Sequence, residues 1–570
     1  MSRAGSSQTG SWRALPPWGE DLLSSCPYHL RILPGVLLLL RHLLPIAAVL
    51  LPLRLPAQTA ADTSTGDPDM IVRGVQLERR DIFDPDERSW LARLANKLHF
   101  QTRPAVIHRE ILFDVGKPYD SALVAESERN LRSLGIFRRV QIDSIRTAQG
   151  LLLRVLARDG WSTQADWRFR STGGQVAFTI GLVENNLLGT AAAAAVRYSR
   201  NPDRSTVALS FRRPRLFFGR VGMGISYENR SDGNSSGFAL EQPFFSLTSP
   251  RAFRFEVVDR DERVLRFRNG LDVASDTLRR RYTLVHGSAA KAVRASSAGY
   301  LRVGVAAQVR RDDFLPERSV ELFPRNLTAA VGAYLVWNEA RFIVTQGYAG
   351  FAREEDVDLG TTVRAGLNLA PKFFGYDRNG VGPEIGGRVG ARIPGGFAFV
   401  DAIANGLFTS AGLDSGSVQI AATTVFKPGS RHMAVVHAEA GWLKNPLPGE
   451  EFDLGLGSGP RAFGSHAFTG DRSVFLSTEY RFTVTDDLFR LVGLGVAGFV
   501  DYGGAWYAGS PRRMGWDAGV GLRLGASRST DTDALRFDLA RRFATDVEPA
   551  GWVLTVGKGF AFSAPTRRPT

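Results

Sequence analysis

From Trp161 to Phe562 the sequence runs for about four hundred residues with no plausible core-forming helix. It is written instead as segments of about nine to eleven residues in which apolar side chains alternate with polar or small ones, separated by turn-forming or charged clusters. RVGMGISYE places Val221, Met223, Ile225 and Tyr227 on one face and Gly222, Gly224, Ser226 and Glu228 on the other; LRVGVAAQV repeats the pattern with Leu301, Val303, Val305, Ala307 and Val309. No segment is apolar on both faces, so a packed soluble core is hard to build from them. A soluble β-sandwich shares the alternation, but the length of the helix-free run and an export signal ahead of it favour an all-β transmembrane barrel. Its glycine, arginine, aspartate and glutamate face would line a wet lumen. Counting segments predicts 16 to 20 strands over 161–562, with a short tail at 563–570.

The export signal lies in residues 1–60. LRILPGVLLLLRHLLPIAAVLLPLRL is the only long apolar stretch, interrupted by Arg31, Arg41, His42 and Pro45 and followed by the small residues of PAQTAA. The clean run between His42 and Arg54 is short of the roughly twenty residues a spanning helix needs. It reads as a signal peptide with an over-extended front, a true start near Val36 and cleavage near Ala57 to Ala61. Cys26, the single cysteine, precedes the apolar core instead of following it, which disfavours a lipoprotein box. The mature chain is therefore expected to carry no cysteine and to need no disulfide.

A net charge of +14 and a pI near 10.2 first suggest nucleic acid or an anionic membrane surface. Arginine is scattered through almost every segment, as RRPR, RFRN and RRRY illustrate, which fits solvated loop ends better than a nucleic-acid groove. A mean hydropathy of -0.10 is too polar for a bundle of membrane helices. No G-x-S-x-G, Walker or H-E-x-x-H pattern is present. His432 and His437, five apart on a strand, would lie on opposite faces, and His466 reads as a solvated imidazole. The expectation is a protein that is not an enzyme, with no cofactor, no metal and no nucleic-acid partner.

Residues 70–159 mix both periodicities. IVRGVQLERRDIF reads as a strand and DPDERSWLARLANKL as a helix with an aspartate cap and Trp90, Leu91, Leu94 and Leu98 at helical spacing; Asp120 or Ser121 can cap a second helix with Leu123, Val124, Leu131 and Leu134 on one side and Gly135 at its end. RRVQIDSIR and LLLRVLAR should close a small sheet. The result is a compact α+β module of about ninety residues, large enough to fold alone.

One loop stands apart. GSGPRAFGSHAFTG, 457–470, holds Arg461 between glycines and ahead of Phe463. In the following strand, VFLSTEYRF, alternation puts Glu479 and Arg481 inside; in LVGLGVAGFVDYGGAW it puts Phe499, Asp501 and Gly503 inside, with Leu494, Val496, Val500 and Tyr502 toward lipid. Two carboxylates thus project into the lumen from neighbouring segments, and a planar guanidinium on a loop loosened by Gly457, Gly459 and Gly464 can reach both. From the residues alone, Arg461 is either that partner or a solvated loop residue, and Asp501 either lumenal or part of a turn.

Two resemblances bear on the choice. ILFDVGKPYDSALVAESERNLRSLGIFRRVQI resembles a POTRA domain, the periplasmic module that precedes outer-membrane assembly barrels. GSGPRAFGSHAFTGDRSVFLSTEYRF resembles the part of the BamA/TamA superfamily, or bacterial surface antigen family, where a loop reading (V/L)RG(F/Y) enters the barrel; ENNLLGT, FRRPRLFFG, QPFFSL, GVGLRLG and GWVLTVGKGF extend the match in family order. Pro460 and Ala462 depart from the usual loop residues. The resemblance implies sixteen strands, and a lumenal anchor of Arg461, Phe463 and Gly464 facing Glu479 and Asp501. It also implies an (F/G)xDxG strand carrying Phe499, Asp501 and Gly503, and a C-terminal strand signal at Phe560 or Phe562. It further implies a bacterial outer-membrane location with the POTRA-like domain in the periplasm, and strand pairing at a lateral seam between the first and last strands. The partners implied are outer-membrane lipid, unfolded outer-membrane or secreted polypeptides and periplasmic accessory proteins. The alternative is a passive porin or transporter channel in which Arg461 sets anion selectivity.

Overall fold

The computed structural model describes residues 70–558 apart from 85–89, 149, 173–174, 217–219, 268–275, 318–325, 349–353, 377, 457, 490, 528–533 and 547. The leader at 1–60, Gly457, Phe560, Phe562 and the tail at 563–570 lie outside the described residues.

The N-terminal module is built from β1 (Val72–Arg80), α1 (Trp90–Leu98), α2 (Pro104–Glu110), α3 (Ser121–Ser133), β2 (Phe137–Thr147) and β3 (Gly150–Asp159). The sheet order is β1-β3-β2, with β3 parallel to β1 and antiparallel to β2. Asp120 caps α3 by accepting from the Ala122 and Leu123 amides, and Gly135, at φ 70°, turns the chain away at its end. Val124 and Leu131 of α3 pack with Ile107, Phe113, Phe137, Leu153 and Val155 into one apolar core. Helix α2 is an addition to the sequence reading. At seven residues it is too short to display a period, and its one signal is Pro104 in the first turn.

Twenty described strands, from Thr163–Thr172 to Gly551–Lys558, close into an antiparallel barrel in which the last strand neighbours the first. Twenty is the upper end of the alternation count and four more than the resemblance implies. Alternation drives the closure. Val303 and Val305 face outward and are 43% and 37% exposed, while Arg302, next to Val303 on the same strand, is 2% exposed in the lumen. The barrel is uneven. Strands Asp276–Ser296 and Gly299–Pro316 are the long wall, and Leu535–Arg542 and Gly551–Lys558, beside the closure, have eight described residues each.

Because the module immediately precedes the first strand, one rim is the module rim and the other the far rim. The module is seated against its rim by polar contacts from three elements. The Arg103 amide donates to Gly189 O (2.9 Å), Glu110 pairs with Arg215 (2.8 Å), and Glu126 of α3 accepts from the Leu247 amide. A cavity of about 870 Å³ lies between Glu110 and Asn130 of the module and lumenal residues that include His286, Arg302 and Arg364.

Candidate functional site

The connection between strands His432–Lys444 and Arg472–Leu488 starts at the far rim. It folds down against the inner wall, so Arg461, Ala462, Phe463 and Phe468 are all buried. A short ladder, Phe452–Leu454 with Phe468–Gly470, fixes its stem. The structure brings Arg461 to both acidic residues named from the sequence. Arg461 Nε and Nη2 donate to the two oxygens of Asp501 (2.6 and 3.1 Å), and Nη1 donates to Glu479 Oε2 (3.1 Å) and to Asp538 Oδ2 (3.3 Å). Its guanidinium also lies 3.7 Å over the Phe499 ring. The fork is therefore engaged on its edge by carboxylates and on its face by an aromatic, an arrangement that lysine cannot reproduce. Burial opposes the charge on Arg461, but Asp501, Glu479 and Asp538 outweigh it and hold the proton more tightly than on an ordinary guanidinium.

These contacts sit in a larger network. Strands Arg472–Leu488, Val492–Trp506, Gly515–Ala526 and Leu535–Arg542 are successive neighbours and contribute Glu479, Asp501, Asp517 and Asp538 on one lumenal patch. Arg481 Nε binds Glu479 Oε1 (2.7 Å), Arg523 bridges Glu479 (2.9 Å) and Asp538 (2.5 Å), and Arg536 approaches Asp538 (3.4 Å). Four guanidinium groups thus meet three carboxylates, Glu479, Asp501 and Asp538, with Asp517 beside them, none of the eight residues more than 9% exposed. The pairing matters because a buried charge is tolerated only when paired and hydrogen-bonded. Ser477, opposite Asp501 in register, donates to Asp501 Oδ1 (2.6 Å), and Asp517 accepts from the Ala462 amide (3.0 Å).

Phe463 is fully buried and packs at 5.0 Å on Phe468. A side chain at Gly515 beneath them would stand 2.4 Å from the Phe463 ring, so the wall must be glycine there. Ala462, where the family motif has glycine, uses its methyl group. It fills a buried cluster with Phe499, Ala540 and Val553. Gly503 lies opposite Phe475 and Gly515 on the two flanking strands.

Similar curated proteins are the outer membrane protein assembly factor BamA of Neorickettsia risticii (strain Illinois), 25% identical over 310 residues covering 50% of this chain and 40% of that protein, and BamA of Neisseria meningitidis serogroup B (strain ATCC BAA-335 / MC58), 28% identical over 144 residues covering 23% and 17%. The chain spans less than half the length of these curated relatives. Among solved structures, BamA from Haemophilus ducreyi lacking POTRA domains 1–3 aligns over 86% of this chain and 85% of that one, with TM-score 0.38 at 15% identity. CdiB from Escherichia coli aligns over 86% and 77%, with TM-score 0.45 at 12% identity. No protein-family model matches the chain. In sequence the chain is similar to BamA-type outer-membrane proteins.

In this barrel the loop continues past its arginine to the closure itself. The Gly464 amide donates to Glu548 Oε1 (2.7 Å) in the connection that leads into the last strand. The next amide, of Ser465, donates to Gln175 Oε1 (2.8 Å) at the head of the second strand. Consecutive backbone groups therefore hold the two flanks of the first-to-last strand junction at the far rim. A Cβ at Gly464 would stand 3.1 Å from both acceptor oxygens, which explains the glycine by close approach. Arg542 completes the arrangement by binding Glu548 and the Ala462 carbonyl (3.1 Å).

His466 differs from the sequence reading of a solvated imidazole. It stacks on Phe267 with ring centroids 3.4 Å apart and contacts Asp453 (2.5 Å) and Asp203 (3.1 Å). Burial would lower its pKa, but the hydrogen bonds to Asp203 and Asp453 prevail and raise it to about 9. His437 points into the lumen toward Thr423 and Glu439, whereas His432 bonds the lipid-facing Tyr480. Alternation through GWDAGVGLRLGA and LRFDLARR already places Asp517, Arg523, Arg536 and Asp538 on inward positions, so that signal was available in the sequence. Gln175 and Glu548 carry no such signal, because Gln175 is the first residue of its strand and Glu548 lies in a connection.

Proposed function

We propose that the protein inserts or exports polypeptides at the outer membrane by strand pairing at the seam between Thr163–Thr172 and Gly551–Lys558, without a chemical step or cofactor. The observation that carries this reading is the double attachment of the Arg461 loop. It is rooted in a buried ion network, and its next turn bridges the two sides of the closure through one amide each. A passive pore has no need of such a bridge across one particular strand pair. An incoming strand that adds to an edge needs that pair to part, since a closed barrel offers no free edge.

The short closing strands support the same reading. Fewer ladder positions mean a smaller cost of separation than along the long wall. The N-terminal module acts as a POTRA-like periplasmic domain over residues 70–159. Its outer strands β1 and β2 flank β3 and present edges to unfolded outer-membrane or secreted polypeptides and to periplasmic accessory proteins. Outer-membrane lipid surrounds the apolar face.

A reversible lock tests the proposal. Paired cysteines placed across the two closing strands, in a Cys26→Ser background, are oxidised in the membrane of cells depleted of the native protein. Loss of outer-membrane protein assembly or export on oxidation, restored by reductant, is the expected result. Full activity of the locked protein overturns it.

A further inference from the structure

Outer-membrane barrels ordinarily have short turns at the periplasmic rim and longer loops at the other. Here the connection at residues 340–360, on the module rim, breaks that rule. It forms an antiparallel hairpin of Phe342–Gln346 with Glu354–Asp358. The hairpin touches the module at one end and the lumenal network at the other.

On the module side, Arg132 of α3 makes a two-pronged pair with Asp356, Nε to Oδ2 at 2.9 Å and Nη2 to Oδ1 at 3.1 Å, and Arg129 lies 4.6 Å over the Phe342 ring. On the barrel side, Tyr348 is 4% exposed, wedged edge-on against Phe397 and Phe399 in a cluster that includes Val357, Leu359, Val425 and Val435. The Tyr348 amide donates to Glu355 Oε2 (3.1 Å), and its carbonyl accepts from Arg481 Nη1 (2.8 Å). Arg481 in turn holds Glu479 Oε1, and the other oxygen of Glu479 receives Arg461. A series of charged and hydrogen-bonded contacts, joined by the peptide link between Glu355 and Asp356 and by the Tyr348 backbone, therefore runs from helix α3 through the hairpin to the loop arginine.

We propose that the 340–360 hairpin is a positioning element for the Arg461 anchor: it conveys the seating of α3 on the module rim to Glu479, with Arg481 as the residue that carries the coupling into the lumen. The proposal rests on the reading of Arg461 as the root of the seam-bridging loop. Its physical basis is geometric. Arg481 is 6% exposed, and it can serve Tyr348 O and Glu479 together only while the hairpin keeps that carbonyl in place. A module that shifts takes Asp356 with it, removes an acceptor from Arg481, and frees Arg481 to compete with Arg461 for Glu479.

Ala462, fully buried beside Arg461, supplies the probe. The full chain carrying Cys26→Ser and Ala462→Cys is reconstituted in lipid nanodiscs, and the labelling rate by a hydrophilic maleimide reports loop release. Arg461→Ala sets the released rate. Asp356→Arg and Arg132→Asp are each expected to raise labelling about fivefold or more, the scale of an ordinary coupling between sites, and the charge-swapped double variant to return it to within about twofold of the parent. Asp356→Asn, which keeps shape and removes charge, gives a smaller rise in the same direction and serves if the reversals impair insertion. Unchanged labelling in the Asp356 variants while Arg461→Ala raises it overturns the hairpin proposal and leaves the anchor intact. Failure of the charge swap to restore protection also overturns it. No rise in Arg461→Ala overturns the anchor reading itself.

Discussion

The wall beneath the loop and the seam beside it are held by different forces, although the same few residues touch both. Along strands Arg472–Leu488 to Leu535–Arg542, Arg461 is fixed by side-chain charge in a buried network with Glu479, Asp501 and Asp538. At the closure, Gly464 and Ser465 contribute one backbone hydrogen bond each, to a glutamate and a glutamine. Removing one member of a buried ion pair leaves its partners charged and unsatisfied, at a cost of about 3–5 kcal/mol. Parting a single hydrogen bond costs about 0.5–1.5 kcal/mol, and about 1.5–3 kcal/mol where one partner is charged. The loop is thereby held more firmly at its root than at its tip, as the proposed parting of one strand pair in a folded barrel requires.

The comparison breaks most severely at the root. Arg461→Ala should destabilise the folded barrel by about 3–5 kcal/mol, read as loss of the compact band in unboiled electrophoresis at a lower temperature than the parent; an unchanged transition refutes the anchor. Arg461→Lys should fall between the two, because a lysine keeps the charge but cannot grip Asp501 with two donors while facing Phe499.

Next in size is the tip. Glu548→Ala combined with Gln175→Ala removes one charge-assisted and one neutral hydrogen bond, should destabilise the barrel by about 2–4.5 kcal/mol, and should raise the frequency of brief conductance openings in planar bilayers. A quiet, unaltered trace would remove the bridging role. Gly464→Ala is expected to do the same more weakly, since a Cβ there meets both acceptor oxygens at 3.1 Å and each must give by a few tenths of an ångström.

The smallest effect is a pH dependence confined to the tip. His466, with its pKa raised to about 9 between Asp203 and Asp453, contributes stability that is fully present below its unfolded value near 6.5 and is lost as pH rises through about 9. Maleimide labelling of Ser465→Cys should therefore quicken between pH 7.5 and 10 more steeply than the growing thiolate fraction alone requires, and His466→Asn should lose that excess; identical slopes in both would exclude the histidine.

Alternation along 161–562, together with the length of the helix-free run and the export signal ahead of it, pointed to a barrel, and a period of two then left each residue only two outcomes, lumen or lipid. The same rule put Glu479 and Asp501 inside, and the resemblance of the loop paired them with Arg461. Strand number was less legible: sixteen by resemblance, sixteen to twenty by count, and twenty among the described residues. Helix α2 was missed because seven residues carry too little periodicity. His466 was misjudged because its partners, Asp203 and Phe267, come from connections about two hundred and more residues away, a nearness that barrel closure alone creates.

What the sequence determined by itself was local and repetitive: which face each residue takes, where helix α3 begins and ends, and which loop carries an arginine among glycines. The tertiary structure alone decided which distant segments meet. Closing twenty strands in a ring sets Glu548 beside Gln175, sets Asp356 under Arg132, and joins Arg481 to a carbonyl at the opposite rim from the loop. Periodicity is a property of neighbours along the chain. These contacts depend on curvature and closure, which no single segment encodes.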